Sequence, residues 1–209
     1  MGDGQLFDFA EPQVICGIDE AGRGPLAGPV CAAAVILGDD FPVEILNDSK
    51  VLSEQQRMKA EVVIREKALA YAISWATAKE IDHINILQAS LLAMKRAYDK
   101  IKKDHPIDLA KVDGNQRPDL DCATIAIVKG DATVPAIMAA SILAKNARDR
   151  YMVCADKKWP LYGFSKHKGY PTEEHREACL LYGLSPIHRK TFRIKAGAKK
   201  KQPDGCLLF

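Results

Sequence analysis

The stretch Cys16-Gly17-Ile18-Asp19-Glu20-Ala21-Gly22-Arg23-Gly24-Pro25 sets two adjacent acids between an apolar run and a glycine-rich turn. Residues 14–18 read as the end of a buried strand, which the Gly and Pro residues that follow would stop. Delivering two carboxylates to the mouth of such a strand is strongly disfavoured unless something positive compensates them. A divalent cation meets that need.

Two further acids occur in similar settings. Leu109-Ala110-Lys111-Val112 runs into Asp113-Gly114-Asn115, and Ala123-Thr124-Ile125-Ala126-Ile127-Val128 runs through Lys129 and Gly130 into Asp131. In an open α/β sheet, reactive groups collect at the carboxyl ends of the strands, so Asp19, Glu20, Asp113 and Asp131 could converge. Each also has a plainer reading, because Asp-Gly is a common turn pair and an acid often caps a helix. Hard cations such as magnesium and manganese take carboxylate oxygens. With four acids and no converging His or Cys cluster, magnesium or manganese is expected rather than zinc.

Around these acids the chain alternates strands and helices. Residues 29–37 form a second apolar strand ended by Gly38-Asp39-Asp40. Ser53 with Gln56 three residues later is the capping-box pattern that opens a helix. Tyr71, Ile73, Trp75 and Thr77 alternate with Ala72, Ser74 and Ala76, which predicts a half-buried strand. Ile84, Leu87, Leu91, Met94, Tyr98 and Ile101 recur three or four apart and predict a helix with a core-facing stripe. Strands are expected near 107–112 and 122–128. A helix of small apolar residues follows over 134–147, carrying Ser141, Lys145 and Asp149 on one polar stripe. That stripe could face the acids, or Lys145 and Asp149 could form a plain surface pair. A last helix is expected over 172–182, capped by Thr172 and closed by Gly183. The order implies an α/β fold, a mixed central sheet flanked by helices with a C-terminal helical region.

The motifs in this order resemble those of the bacterial ribonuclease HII family. The stretches that carry the resemblance are Gly17 to Val30, Asn47-Asp48-Ser49-Lys50, Val112-Asp113-Gly114-Asn115, Lys129-Gly130-Asp131-Ala132, Ala140-Ser141-Ile142-Leu143-Ala144-Lys145 and His167-Lys168-Gly169-Tyr170. The related ribonuclease HIII proteins carry a long N-terminal extension and lack the Gly22-Arg23-Gly24 form. The resemblance implies the ribonuclease H fold and a catalytic domain over 14–195, with a substrate-binding helical part from about 150. Residues 1–13 would be an extension and 196–209 a basic tail. It also implies two-metal hydrolysis of RNA/DNA hybrids and of ribonucleotides embedded in DNA. Asp19, Glu20, Asp113 and Asp131 would be the catalytic metal ligands. Gly22, Arg23 and Gly24 would read the ribose 2′-hydroxyl and Tyr170 the RNA to DNA junction, with Asn47, Lys50, Ser141 and Lys145 as further substrate contacts. Rival readings are a DNA-specific nuclease of the same fold, which the Gly22-Arg23-Gly24 loop argues against, and a silent nucleic-acid-binding module, which would be expected to have lost an acid.

The 209 residues suit one domain, and 47% hydrophobic with 27% charged residues is ordinary for a globular protein. No stretch approaches a membrane span and residues 1–10 do not read as a signal peptide, so a cytoplasmic monomer is expected. The cysteines at 16, 31, 122, 154, 179 and 206 are scattered without a CxxC pair and read as reduced, neither bridged nor bound to zinc. The histidines read as non-catalytic. The net charge of +3 is small, but the segment from His188, Arg189 and Lys190 through Arg193, Lys195 and Lys199 to Lys201 is nearly free of acids. It reads as a phosphate footprint, with a solubilising tail as the alternative for Lys199 to Lys201. Residues 5–9 and 202–209 each loosely suggest a sliding-clamp-binding peptide.

Overall fold

A computed structural model describes residues 13–46 and 52–194. Five strands form one sheet: β1 (Ile15–Ala21), β2 (Val30–Ile36), β3 (Ala70–Ala76), β4 (Leu109–Asp113) and β5 (Ala123–Ile127), in the order β3-β2-β1-β4-β5. The first three pair antiparallel, and β4 and β5 join parallel to β1, which makes the sheet mixed. The helices are α1 (Glu54–Lys67), α2 (Ala78–Ile101), α3 (Pro135–Lys158), α4 (Phe164–His167) and α5 (Glu173–Tyr182). No helix among the described residues is long and apolar enough to cross a membrane.

Central β2 reads Val-Cys-Ala-Ala-Ala-Val-Ile and is buried throughout, because helices cover both sides of the sheet. On one face Cys16, Ile18, Val30, Ala32 and Ala34 pack against Ala89, Ala93, Met94, Ala97 and Tyr98 of α2. On the other, Cys31, Ala33 and Val35 meet Ile64 of α1 and Ala139, Ala140, Leu143 and Ala144 of α3. Alanines and glycine let α3 come close: a Cβ on Gly17 would lie 2.2 Å from the backbone carbon of Ala136. Arg150 of α3 then ties α1 in place with a bidentate pair to Glu61, at 2.6 and 2.8 Å.

Several boundaries depart from the sequence reading. β1 continues through Ala21, so Asp19 and Glu20 lie inside the strand, opposite Ala33 and Ala32 of β2, and not beyond its end. Small partners leave room for carboxylates on a paired strand. Thr77 is not the last strand residue but the N-cap of α2, in a capping box with Glu80. Helix α2 kinks at Asn85, whose φ is 66°, and the Asn85 side chain accepts the Gln88 N–H at 3.1 Å as a second cap. The stripe still faces the core: Ile84 and Leu91 pack half-buried against it, and Met94, Tyr98 and Ile101 lie in it together with Ala89, Ala93 and Ala97. The alanines went unread because periodicity weighs large side chains.

Helix α3 runs on to Lys158, well past residue 147. Its second half, with α4 and α5, encloses a smaller core of Met152, Ala155, Tyr162, Phe164, Ala178 and Cys179 that also takes in Ala27. The loop after β1 is thereby clamped between the sheet and this helical part. Leu26 N–H donates to the Gly169 carbonyl at 2.8 Å, and Arg189 N–H to the Leu26 carbonyl at 2.9 Å.

Candidate active site

A cleft of about 490 Å³ opens at the carboxyl end of β1 and β4, lined by Asp19, Glu20, Gly22, Arg57, Asp113, Asp131, Ser141, Lys145 and Tyr170. Adjacent residues of a strand project to opposite faces, and the two acids of β1 do so. Asp19 turns to the α3 face, where the Ser141 hydroxyl bonds it. Glu20 turns toward α2 and lines a second, smaller hollow with Leu87, Leu91 and Met94. Asp113, at the end of β4, borders both. Asp131 sits on the short 3-10 helix Gly130–Ala132, and its N–H donates to Asp113 Oδ1 at 3.2 Å. The four acids thus meet at one sheet end from three elements.

Their electrostatics favour a cation. Burial, then Glu20 and Asp113, push the Asp19 carboxyl well above the ordinary carboxylate range; the Ser141 hydroxyl and a backbone N–H pull weakly the other way. Burial also raises Glu20, opposed first by the Arg23 guanidinium 3.4 Å away. The two cationic side chains on the cleft wall are shared with another acid: Lys145 Nζ is 2.7 Å from Asp149 Oδ1, and Arg57 is 3.8 Å from Asp149 Oδ2. The α3 stripe therefore faces the acids, and Lys145 is paired with Asp149 there, though not as a plain surface pair, since Asp149 is buried. Hard oxygen donors, buried and mutually repelling, fit a hard divalent ion.

The glycine loop stands beside them. Gly22 has φ +102°, and a Cβ there would lie 2.0 Å from Arg148 Nε, so only glycine fits. A Cβ on Gly24 would be 3.6 Å from the Tyr170 ring, so loop and aromatic side chain adjoin. Tyr170 is 42% exposed, its ring open to the cleft. Arg23 is half exposed. Asn47 and Lys50 lie outside the described residues, as do Lys195, the lysines 199–201 and the peptides 5–9 and 202–209.

Two arginines support this loop, Arg148, which sequence reasoning missed, and Arg189, which it gave another role. Arg148 and Arg189, each 1% exposed, spend their guanidinium N–H groups on backbone carbonyls. Arg148 donates to Ala27, Pro29 and Lys168 at 3.0 to 3.1 Å. Arg189 donates to Gly28 and Arg23 at 2.9 Å and to Gly22 at 2.5 Å. Desolvation, then the neighbouring Arg148 charge, lower the Arg189 pKa to about 9. The expected phosphate grip is corrected for two residues of the basic segment: His188 and Arg189 are buried, Arg189 because the loop carbonyls need donors that water cannot supply, while Lys190 and Arg193 stay exposed. Nothing in the linear pattern separates a buried Arg from its exposed Lys190 neighbour.

A second correction concerns His and Cys. Among the described residues, the set whose ligand atoms all lie within 4.8 Å of one another is His175, Cys179 and His188, all buried. The i, i+4 spacing of His175 and Cys179 on the last helix is the signal that could have found two of them.

A family profile described as Ribonuclease HII matches residues 16–195. The ribonuclease HII of Laribacter hongkongensis is 55% identical over 180 residues, covering 85% of this chain and 90% of the relative. That of Dechloromonas aromatica is 52% identical over 179 residues, covering 86% and 90%. Among solved structures, ribonuclease H2 from Pyrococcus horikoshii aligns with a TM-score of 0.67 at 27% identity, over 86% of this chain and 94% of that one. The ribonuclease HII solved with PCNA from Archaeoglobus fulgidus gives 0.71 at 24% identity, over 89% and 98%, and shares the fold.

Proposed function

The chain belongs to the ribonuclease HII family of metal-dependent endonucleases acting on RNA/DNA, and on that premise we propose that Asp19, Glu20, Asp113 and Asp131 hold two magnesium or manganese ions for incision 5′ of ribonucleotides embedded in duplex DNA and for cutting the RNA strand of hybrids. The observation that carries this is the meeting of four acids with Gly22 and Tyr170 in one cleft, with Gly24 against the Tyr170 ring. Bound there, the ions would supply the charge that activates water and stabilises the leaving oxygen, giving 3′-hydroxyl and 5′-phosphate ends.

The chain's own groups supply the rest. Asp19 and Glu20, raised by burial, gain most from a cation and anchor it. The carbonyls of Gly22 and Arg23 are held by Arg189, which fixes the loop backbone against a 2′-hydroxyl, the group that separates RNA from DNA. Lys145 offers positive charge to a phosphate on the α3 side. The Tyr170 ring, beside Gly24, packs on the sugar at the junction. Removal of RNA primers and excision of misplaced ribonucleotides are the uses we infer for such incision. A sliding clamp is a further proposed partner, since the Archaeoglobus relative was solved in complex with PCNA.

Tyr170→Ala tests the substrate reading. Initial rates are compared on a duplex with one ribonucleotide and on a long RNA tract, at fixed metal and salt. The single-ribonucleotide rate should fall about ten-fold or more beyond the fall on the tract, the effect of roughly 1.4 kcal/mol confined to the transition state. Equal losses on the two substrates would end the junction assignment.

A further inference from the structure

The buried set His175, Cys179 and His188 has the composition of a soft-metal site, and its hydrogen bonds decide against one. The Ser185 backbone N–H donates to His188 Nδ1 at 2.9 Å, with Ser185 Oγ at 2.7 Å. A ring nitrogen that accepts an N–H carries no proton, so the His188 proton resides on Nε2. That Nε2 lies 3.0 Å from His175 Nε2 and 3.1 Å from Cys179 Sγ. His175 Nδ1 lies 2.9 Å from the Tyr170 carbonyl, which can only accept. His175 therefore donates through Nδ1 and presents the lone pair of Nε2 to the His188 Nε2–H. One tautomer of each ring is consistent with these contacts: the two Ser185 groups share the lone pair of His188 Nδ1, and the His188 Nε2–H is shared between His175 Nε2 and Cys179 Sγ.

A metal would undo it. Binding through both Nε2 atoms would move the His188 proton to Nδ1, against the Ser185 N–H, leaving two donors facing each other in the interior. Burial also raises the Cys179 thiol, which disfavours the thiolate that a metal requires. Burial lowers both imidazoles, His188 to about 4, so both are neutral near pH 7.

The relay ends on the residue before Pro171. The Tyr170 carbonyl accepts from His175 and from Thr172 N–H at 2.8 Å, and Tyr170 N–H donates to the His167 carbonyl at 2.9 Å. Three hydrogen bonds thus fix the Tyr170 backbone while its ring stays open to the cleft. We propose that His188 and His175 form a metal-free hydrogen-bond relay from Ser185 to the Tyr170 carbonyl, and that both are positioning residues for discrimination of a lone ribonucleotide. This rests on the reading of Tyr170 as the junction sensor.

The test pairs spectroscopy with kinetics on the full chain. In protein labelled with 15N at histidine, near pH 7, long-range 1H–15N correlation should show His188 protonated at Nε2 and His175 at Nδ1. Metal analysis should find no stoichiometric zinc at these residues. Bound zinc with both Nε2 atoms unprotonated would overturn the relay, and this measurement needs no variant to fold. His175→Asn keeps an amide N–H where Nδ1 stands, whereas His175→Phe removes it. The ratio of single-ribonucleotide to RNA-tract rates should fall about ten-fold in His175→Phe and stay within about three-fold of wild type in His175→Asn. If Tyr170→Ala is selective and His175→Phe is not, the relay's positioning role fails while the reading of Tyr170 stands. If Tyr170→Ala is unselective, the positioning role falls with that reading.

Discussion

Asp19→Asn should cut hydrolysis of an RNA/DNA hybrid by more than about a hundred-fold in magnesium while leaving the protein at least as stable as wild type in chelator. Loss of groups that merely orient a ligand costs about 10- to 100-fold, so loss of a carboxylate of the cluster itself, 4% exposed, should exceed that. The stability effect has the opposite sign. Burial and the Glu20 and Asp113 charges hold Asp19 well above the ordinary carboxylate range, so without a cation the folded state disfavours its ionised form. Between the unfolded and folded pKa values the folded state binds more protons than the unfolded one, so stability falls as pH rises through that window. Asparagine keeps the shape, removes the charge and should flatten this fall. Melting curves in chelator across pH read the effect. Near wild-type turnover by Asp19→Asn, or a melt with the same pH slope as wild type, would contradict the carboxylate assignment.

Arg189→Met should destabilise the fold by about 3 kcal/mol and leave the salt dependence of nucleic-acid binding unchanged. The guanidinium serves the carbonyls of Gly22, Arg23 and Gly28 in the interior. Each acceptor left without a partner costs about 1 to 3 kcal/mol, and the loop can relax toward water for part of that. A phosphate contact would behave differently, since its loss lowers the salt slope by about one unit. Denaturant midpoints and binding across a salt series separate the two. A stable variant with a flattened salt slope would return Arg189 to the basic footprint that the sequence suggests.

The difference between those two roles marks where sequence reading stopped. The convergence of the four acids was legible because each follows a short apolar run bounded by turn residues, which reads as a strand, and strands of an α/β sheet deliver their ends to one side. The continuation of β1 through Asp19 and Glu20 was not, because it depends on Ala32 and Ala33 of a neighbouring strand leaving room. The capping box at Ser53 reads locally and is formed, whereas that of Thr77 was hidden by the strand alternation it ends. Asn85 breaks α2 with one left-handed residue, which periodicity cannot register. The guanidinium groups of Arg148 and Arg189 are defined by partners that lie 20 to 167 residues away, and the contact of His175 with His188 spans 13. Local pattern gives such residues no direction, and only the packed helical part turns them inward.

Incision of an end-labelled DNA duplex carrying one ribonucleotide, with magnesium or manganese and with chelator, tests the proposed chemistry most directly. With metal, one cut is expected on the 5′ side of the ribonucleotide, leaving a 3′-hydroxyl and a 5′-phosphate, and the all-DNA control should stay intact. Cutting that persists in chelator, cutting of the all-DNA control, or no cut with either metal would contradict it.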